Sequence, residues 1–595
     1  MTKKIAPWMA AAATAAFSIL VAAPALRATV AHGQDLPFHL FRSFGTVNAW
    51  ADGQLVAQVD PQAFGGFGLG TDVFYSPLSA WITSAAYLVV HNWAVATNIL
   101  LVVSIVGAGL AMYALVHHVS SSALAGFLAA ACYVAHPYFL TDIWLRQAQG
   151  EVLAFVFFPL VLLGLWRLLN ETGNRFQEWW VPASLLGVSA AGLVLSHQLS
   201  ATLAAAVCVL LVAFNPRALG SPRFWLGIGV AVALAVSLSA VFVLPLGEAA
   251  RTGLYNVFDP NSLFSTKYPN QAPKRTISIT QLLFGLPLSV DGHVRAEVGL
   301  VALIGVVTAL LLSRRLGRTR RLVVQFTVIG LVATIMASSL TPWQVLPRAI
   351  WTIQFPFRLM LIVAVTWSAV AGIGFATAAR AIARGSRRRL AVATSVIAAV
   401  TFLACAPAWL HAIVKPPLDP ASLTNGFPTG ARAAASGEYL PRQLNDPNRV
   451  YEKVIARGNQ PRVASGKATV SDFARTGSHQ VITVETASGA ELEFGALYYP
   501  GFTAELDGPI GSQPLSVHPS STYGMAAVTL PAGASGTVQL RYSLSPATWA
   551  GLALGVLGLV ILAAGMILWR LQSRPTTVKP PKGNADKPGS SPDDH

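Results

Sequence analysis

Charge is scarce in this chain. Only 11% of its 595 residues are Asp, Glu, Lys or Arg, against about 25% in ordinary soluble domains. Apolar residues make up 54% and the mean hydropathy is +0.55, which excludes a soluble globular protein. Acid is scarcer than base: 25 Asp and Glu against 41 Lys and Arg leave a formal charge of +16. That excess would suit a nucleic-acid binder if it formed one patch. Instead it falls in short clusters at the ends of apolar runs, Arg217 with Arg223, Arg314 to Arg321 and Arg380 to Arg389. Cytoplasmic loops of membrane proteins carry base in this way, and no nucleic-acid partner is implied. Cysteine is almost absent. Cys132, Cys208 and Cys405 each sit inside an apolar run, so disulfides cannot staple a soluble portion. A Walker phosphate loop and a Cys/His zinc spacing are both missing. The run Gly65-Gly66-Phe67-Gly68-Leu69-Gly70 follows no strand and opens no crossover helix, so it reads as a tight surface turn and not as a nucleotide site.

Long apolar runs are what the chain has instead. They recur at about 7–29, 76–91, 93–116, 121–138, 151–168, 180–197, 199–214, 224–245, 297–313, 322–340, 358–379, 390–412 and 547–569, as spanning helices would. If all of them crossed, the basic loops would fall on both sides of the membrane. The segment 76–91 is short and only Asn92 separates it from the next run. As a helix lying in the outer interface it leaves loops 215–223, 314–321, 380–389 and 570–574 together inside. The polar stretches 31–75, 138–150, 246–296, 341–357 and 413–546 then face outside together. The expectation is a polytopic α-helical membrane protein with about 12 spanning helices and both termini inside. The first run, preceded by Lys3 and Lys4, fits either a cleaved signal peptide ending near Thr29-Val30-Ala31 or a retained helix. Its length, and the functional character of the residues that follow, favour the retained helix.

A different grammar governs 413–546. Short alternating runs at 480–485, 491–494, 502–506, 526–530 and 537–542 are punctuated by Tyr499-Pro500-Gly501, Asp507-Gly508 and Pro531-Ala532-Gly533, as in an antiparallel β-sandwich or jelly roll. The expected organisation is a transmembrane domain over 1–412, an extracytoplasmic β-sandwich over 413–546 with an extended lead-in at 415–450, a final spanning helix over 547–570, and a disordered cytoplasmic tail over 571–595.

Polar residues concentrate in the expected outer loops. Asp35, His39 and Arg42 stand at i, i+4 and i+7 just after the first apolar run, so a helix would show them on one face. They could deprotonate a hydroxyl and hold a phosphate, or form an ordinary interfacial cluster with a helix cap. The second loop carries Asp142, Arg146, Gln149 and Glu151. A carboxylate such as Glu151 at the mouth of an apolar run is costly, by roughly 2.5–3.5 kcal/mol near a helix centre and less toward its end. Its alternatives are a structural Arg–Glu pair and a functional acid. His197-Gln198 breaks two apolar runs, as a turn or as a site residue, and Gln354 and Arg358 flank Phe355-Pro356-Phe357, as membrane anchors or as ligands. Carboxylates near basic groups at one membrane depth suit transfer from a lipid-linked phosphate: one carboxylate takes the proton of an acceptor hydroxyl, and Arg and His neutralise the leaving phosphate. A transporter would place its ionisable groups nearer the bilayer midplane.

Asp35-Leu-Pro-Phe-His39, Gly66-Phe-Gly with Phe74-Tyr-Ser-Pro-Leu78, Arg146 with Glu151, Ser196-His197, Gln354-Phe-Pro-Phe-Arg358 and Tyr498-Tyr-Pro-Gly501 with Asp507-Gly508 together resemble the GT-C superfamily of membrane glycosyltransferases, and most of all the bacterial group labelled 6-pyruvoyl-tetrahydropterin-synthase-related membrane proteins. The resemblance implies a catalytic Asp in the first outer loop, here Asp35. It also implies a juxtamembrane helix, here 76–91, and a second acid in the second outer loop, Asp142 or, better matched, Glu151. His39, Arg42, Asp142, Arg146, His197, Gln354 and Arg358 would bind substrate. The implied location is a bacterial cytoplasmic membrane with the β-domain on the periplasmic or extracellular side. The implied partners are a polyprenyl-phosphate sugar donor and an envelope glycan, lipid or protein acceptor. Asp35 has no adjacent second acid, so the paired-acid motif of some members is absent; no metal is assigned, a divalent ion being possible but unsupported. The group label's pterin chemistry lacks its zinc-binding histidines. The alternative is a non-catalytic scaffold or glycan-binding protein derived from that fold.

Overall fold

A computed structural model of the chain describes residues 6–170, 173, 175–259, 276–284, 297–414, 416, 417, 419, 439–444 and 454–572. The tail beyond 572 and most of the expected lead-in at 415–450 lie outside the described residues. The helices run α1 (Pro7–Val21), α2 (Leu36–Ala51), α3 (Thr71–Phe74), α4 (Leu78–Val90), α5 (Trp93–Ser120), α6 (Ala123–Val134), α7 (Pro137–Leu140), α8 (Gln149–Asn170) and α9 (Phe176–Ser196). They continue with α10 (Gln198–Ala213), α11 (Pro222–Arg251), α12 (Ile279–Phe284), α13 (Leu300–Leu311), α14 (Arg320–Ala337), α15 (Met360–Ala383), α16 (Arg387–Leu403), α17 (Ala406–Val414) and α18 (Pro546–Gln572).

Among the described residues, eight helices are long and apolar enough to cross a membrane, counting α16 with α17 as one. A ninth span arises if α6 and the segment Pro137–Arg146, bent by 45° at a break, are taken together. The shorter apolar helices are α1, α4, α10 and α13. Of the twelve runs expected to span, nine coincide with these candidates, and the other three coincide with the shorter helices α1, α10 and α13. Helix α4, the segment expected to lie flat, has 13 residues and a length of about 20 Å; α13, with 12 residues, is no longer, so length does not separate the two.

Helix α15 is the axis of the bundle, and its apolar window is wholly buried. Small residues let its neighbours close on it. A Cβ on Gly372 would stand 2.3 Å from the backbone nitrogen of Ala129 in α6, and one on Gly374 would stand 2.5 Å from the carbonyl of Gly305 in α13. Without a hydrophobic drive between helices in lipid, such close van der Waals approach is what holds them. Helix α1 belongs to the same bundle: the Trp409 indole donates to the Val21 carbonyl at 3.1 Å, and the Tyr113 hydroxyl donates to that of Pro7 at 2.7 Å. Helix α18 packs along α11, with Gly551 against the Ala240 carbonyl.

Between α17 and α18 stand two antiparallel sheets. The strands are β1 (Arg462–Gly466), β2 (Thr469–Thr476), β3 (His479–Glu485), β4 (Ala490–Leu497), β5 (Phe502–Gly508), β6 (Gly511–Leu515), β7 (Val517–Pro519), β8 (Met525–Leu530) and β9 (Ser535–Tyr542). One sheet has the order β1-β4-β8-β7 and the other β2-β3-β9-β5-β6. Ile482, Val484, Leu492, Phe494, Val528 and Leu540 fill the space between them. The five runs read from alternation are β3, β4, β5, β8 and β9. The remaining four strands carry weak patterns because β1, β2 and β6 are mostly exposed, and β2 is broken by a bulge at Asp472, whose φ is +51°.

The glycine-rich run corrects its sequence reading. It is no surface turn: Phe64 and Phe67 are both 1% exposed, and the Phe67 carbonyl accepts a hydrogen bond from the Leu497 amide of β4 at 2.8 Å. Gly66 has φ +85°, with the Asn459 amide 2.6 Å from where a Cβ would lie. Only glycine lets this loop press so closely against the β-domain. Around it the two parts are bonded side chain to backbone. Arg475 donates to the Pro61 carbonyl at 3.1 Å, and the Ser478 amide donates to Asp52 at 3.0 Å. Gln58 Oε1 accepts from both the Tyr542 hydroxyl of β9, at 3.0 Å, and the Thr548 hydroxyl of α18, at 3.2 Å.

Candidate functional site

The candidate site lies where α2, the start of α8 and the turn before α15 meet. After α7 the chain winds into a π-turn, Thr141–Arg146, and stops at Gln147, whose φ of +54° is left-handed. Such widened turns favour functional positions. This one delivers Arg146 to three carboxylates. Its Nη1 donates to Asp142, one helical turn back, and to Glu151 at 3.0 Å; its Nη2 reaches Asp35 at 3.4 Å. The Phe357 ring lies 5.4 Å from the guanidinium carbon. Glu151, in the first turn of α8, also accepts from the Tyr138 hydroxyl.

Asp35 is fixed through its backbone. Its amide donates to the Arg146 carbonyl at 2.7 Å, and the Gln34 amide donates to that of Leu145 at 3.0 Å. Gly33 makes the approach possible, because a Cβ there would meet Gln147 Cγ at 2.5 Å. Asp35 occupies the N-cap position of α2, yet its side chain makes no capping bond. It is turned to Arg146 and is 42% exposed, whereas the side chains of Asp142 and Glu151 are 0% and 2% exposed. Of the three carboxylates on this guanidinium, Asp35 alone is open to a ligand.

Arg42 makes an internal ion pair, and its Nη1 is left without a hydrogen-bond partner among the described residues. Its guanidinium is buried and committed to Asp72, with Nε to Oδ1 at 2.9 Å and Nη2 to Oδ1 at 2.8 Å. Thr46 holds the other Asp72 oxygen at 2.9 Å. The same guanidinium donates to the Ser76 carbonyl at 2.9 Å and lies 4.4 Å from the centre of the Tyr75 ring. His39, on the same helix, is 2% exposed and its Nδ1 has no hydrogen-bond partner among the described residues. Burial, then the charges of Arg42, His197 and Arg146, hold this imidazole well below its usual range, so it is neutral at pH 7.

Arg358 completes the ring of residues. Its Nη1 donates to Gln354 Oε1 at 2.9 Å and to the Ile353 carbonyl at 3.1 Å, and its Nε is buried without a partner among the described residues. Gln354 has φ +61° and ψ −49°, and the Phe355 amide bonds back to the Ile353 carbonyl at 2.6 Å. This is the strained form of γ-turn. His197 sits between α9 and α10 with Nδ1 2.8 Å from the Ser200 hydroxyl and its ring 6.4 Å from that of Tyr75.

An apolar cavity of about 420 Å³ lies between α8, α9, α10 and α11, lined by Leu165, Leu193, Val194, Ala201, Ala204 and Val212 among others. Val194 and Ala201, both in its lining, bracket the His197 turn in the chain. Buried polar atoms without partners among the described residues include Asp142 Oδ2, both amide atoms of Gln149, His39 Nδ1 and Arg358 Nε. Native structures leave few such groups unpaired, and ligands and water account for many of them.

Asp35, Asp142, Arg146 and Glu151 are thus in contact, with His39, His197, Gln354 and Arg358 around them. Arg42 is paired with Asp72, and Glu151 and Asp35 bond to different nitrogens of the Arg146 guanidinium. No group of three or more His, Cys, Asp or Glu among the described residues is disposed to hold a metal ion; the Arg146 guanidinium fills the space between the carboxylates. Sequence reasoning misses Tyr75, Tyr138 and Ser200 as members of the site. Tyr138 follows His136-Pro137, a break in an apolar run, and that interruption is the signal that could have marked it.

Fold and site together define a multi-pass membrane protein with an arginine–carboxylate centre at the junction of its helical bundle and an antiparallel β-domain. No family model matches the chain. An uncharacterized protein of Lactococcus lactis subsp. cremoris is 24% identical over 608 residues, covering 92% of each chain. Among solved structures, ArnT from Cupriavidus metallidurans bound to undecaprenyl phosphate is similar with a TM-score of 0.44 and 11% identity, over 71% of this chain and 78% of that one. The arabinofuranosyltransferase AftD from mycobacteria gives a TM-score of 0.42 and 17% identity over 69% of this chain and 27% of its own. The archaeal oligosaccharyltransferase AglB from Archaeoglobus fulgidus gives 0.36 and 14%, over 69% and 56%.

Proposed function

We propose that this protein is a GT-C-type glycosyltransferase that moves a sugar from a polyprenyl-phosphate donor to an envelope acceptor on the membrane face opposite its basic loops. The observation that carries the reading is the accessible Asp35 carboxylate, pinned by main-chain bonds to the Arg146 turn, in a molecule whose apolar cavity is lined by Val194 and Ala201 on either side of His197 in the chain. The cavity would take the isoprenoid tail, and Arg358 and His197 would meet the phosphate. Asp35 takes the proton of the acceptor hydroxyl as that oxygen bonds to the anomeric carbon. The bond from that carbon to the phosphate oxygen breaks, and the released phosphate keeps the electron pair beside the Arg358 guanidinium. Arg146 holds Asp35 in place, and Glu151 and Asp142 hold Arg146, which makes them positioning residues.

Asp35→Asn keeps the shape of the side chain and removes the base. Transfer from polyprenyl-phosphate sugars by the purified full-length protein in lipid nanodiscs should fall by about 10²–10⁴-fold with an unchanged unfolding temperature. A variant that transfers at the wild-type rate would rule out Asp35 as the base.

A further inference from the structure

Tyr75 holds a place in the site that its sequence context does not announce. It follows α3, and the next residue, Ser76, donates to the Val194 carbonyl of α9 at 2.7 Å, so the turn is tied to the helix that lines the apolar cavity. Its ring lies among Phe38 at 5.5 Å, His39 at 6.0 Å and His197 at 6.4 Å, measured between ring centres. Arg42 covers it at 4.4 Å and is itself locked by Asp72. The ring is thus held in position by a cation fixed in its own ion pair.

The hydroxyl is what packing leaves unexplained. Phenylalanine would make every ring contact just described. Yet the hydroxyl has no hydrogen-bond partner among the described residues, while the charges of Arg42, Arg358, Asp35 and Glu151 all act on it. Burial raises its ionisation above the usual tyrosine range, so at neutral pH it is a donor and not a competing base. A neutral donor within electrostatic reach of Arg358, whose Nε is buried without a partner among the described residues, matches an acceptor-rich anion.

We infer that Tyr75 donates its phenolic hydrogen bond to a phosphoryl oxygen of the lipid-linked donor, with Arg42 as the residue that aims it. This rests on the glycosyltransferase reading and adds a phosphate-binding residue to it. The two are separated by measuring binding of decaprenyl phosphate and of decaprenol to the full-length protein in phosphatidylcholine nanodiscs. Tyr75→Phe should weaken decaprenyl phosphate binding about tenfold, as expected for one hydrogen bond to a charged group. Decaprenol binding and the unfolding temperature should match the wild type. Equal affinity of wild type and Tyr75→Phe for decaprenyl phosphate overturns the inference alone. A folded wild type that binds no decaprenyl phosphate overturns the donor assignment and the inference with it.

Discussion

At the scale of single residues, the centre is one guanidinium shared by three carboxylates, two of them buried. Removing one partner of a buried ion pair strands the rest and costs about 3–5 kcal/mol. Arg146→Met should therefore lower the unfolding temperature in detergent markedly and abolish transfer, whereas Asp35→Asn, at the exposed edge, should spare stability. Comparing thermal unfolding of the two variants by tryptophan fluorescence checks this; a stable Arg146→Met protein would mean that Asp142 and Glu151 are held by something other than Arg146. Much of this centre was legible in the sequence, because Arg146 and Glu151 interrupt apolar runs where charge needs a reason. Arg42 was not. The i, i+4, i+7 spacing placed it correctly on the helix with Asp35 and His39, but its partner Asp72 lies 30 residues on, a pairing that helix periodicity cannot see.

Among the elements, the loop between α2 and α3 carries a pH-sensitive group. Asp60 is buried, and burial pushes its carboxyl up to about 6, with the charge of Asp72 adding to the rise and hydrogen bonds from Gln62 and Asn48 opposing it. A carboxyl raised on folding stabilises the fold in its protonated form. That contribution is complete below about pH 4, the unfolded value, and is lost as the pH climbs through about 6; a shift of this size corresponds to roughly 3 kcal/mol. Asp60→Asn is neutral at every pH, and its amide oxygen can still accept from Asn48 and the Gln62 amide. It should therefore be stabilised relative to wild type more at pH 7.5 than at pH 5, measured as the difference in unfolding temperature at each pH. The same difference at both would show that Asp60 does not titrate in this range. The role of this loop was hidden from the sequence: glycines there signalled a turn, and only the packed β-domain shows why Gly66 must lack a side chain. The strands themselves were legible where one face is buried, as in β3, and illegible where both faces are wet, as in β2.

For the whole molecule, the division into an apolar bundle and a β-rich insertion follows from composition alone, because apolar runs and alternating runs do not overlap. What composition cannot give is how the two are joined. Gln58 joins them, its single oxygen receiving hydroxyls from β9 and from α18. Gln58→Leu would take the partner from the buried Tyr542 hydroxyl, at about 1–3 kcal/mol, while the Thr548 hydroxyl keeps Ser545 at 3.0 Å. The expected result is faster proteolysis within the β-domain and a lower unfolding temperature, while Asn48→Ala, in α2, should have a smaller effect. Indistinguishable proteolysis of the Gln58 variant and wild type would show that the remaining contacts, Arg475 with Pro61, Ser478 with Asp52 and Tyr255 on Tyr499, hold the junction without help from Gln58.

That junction also sets a clock. The groups that meet at Gln58 are separated by 484 and 490 residues of chain, and ribosomes add roughly 5–20 residues per second. The segment bearing Asp35 is thus inserted about half a minute to a minute and a half before its last supports exist. During that interval Gln58, Asp52 and the glycine-rich loop wait without their β-domain partners. A nascent chain stalled before α18 would carry the arginine–carboxylate residues and the bonds among them while the Gln58 junction is still open.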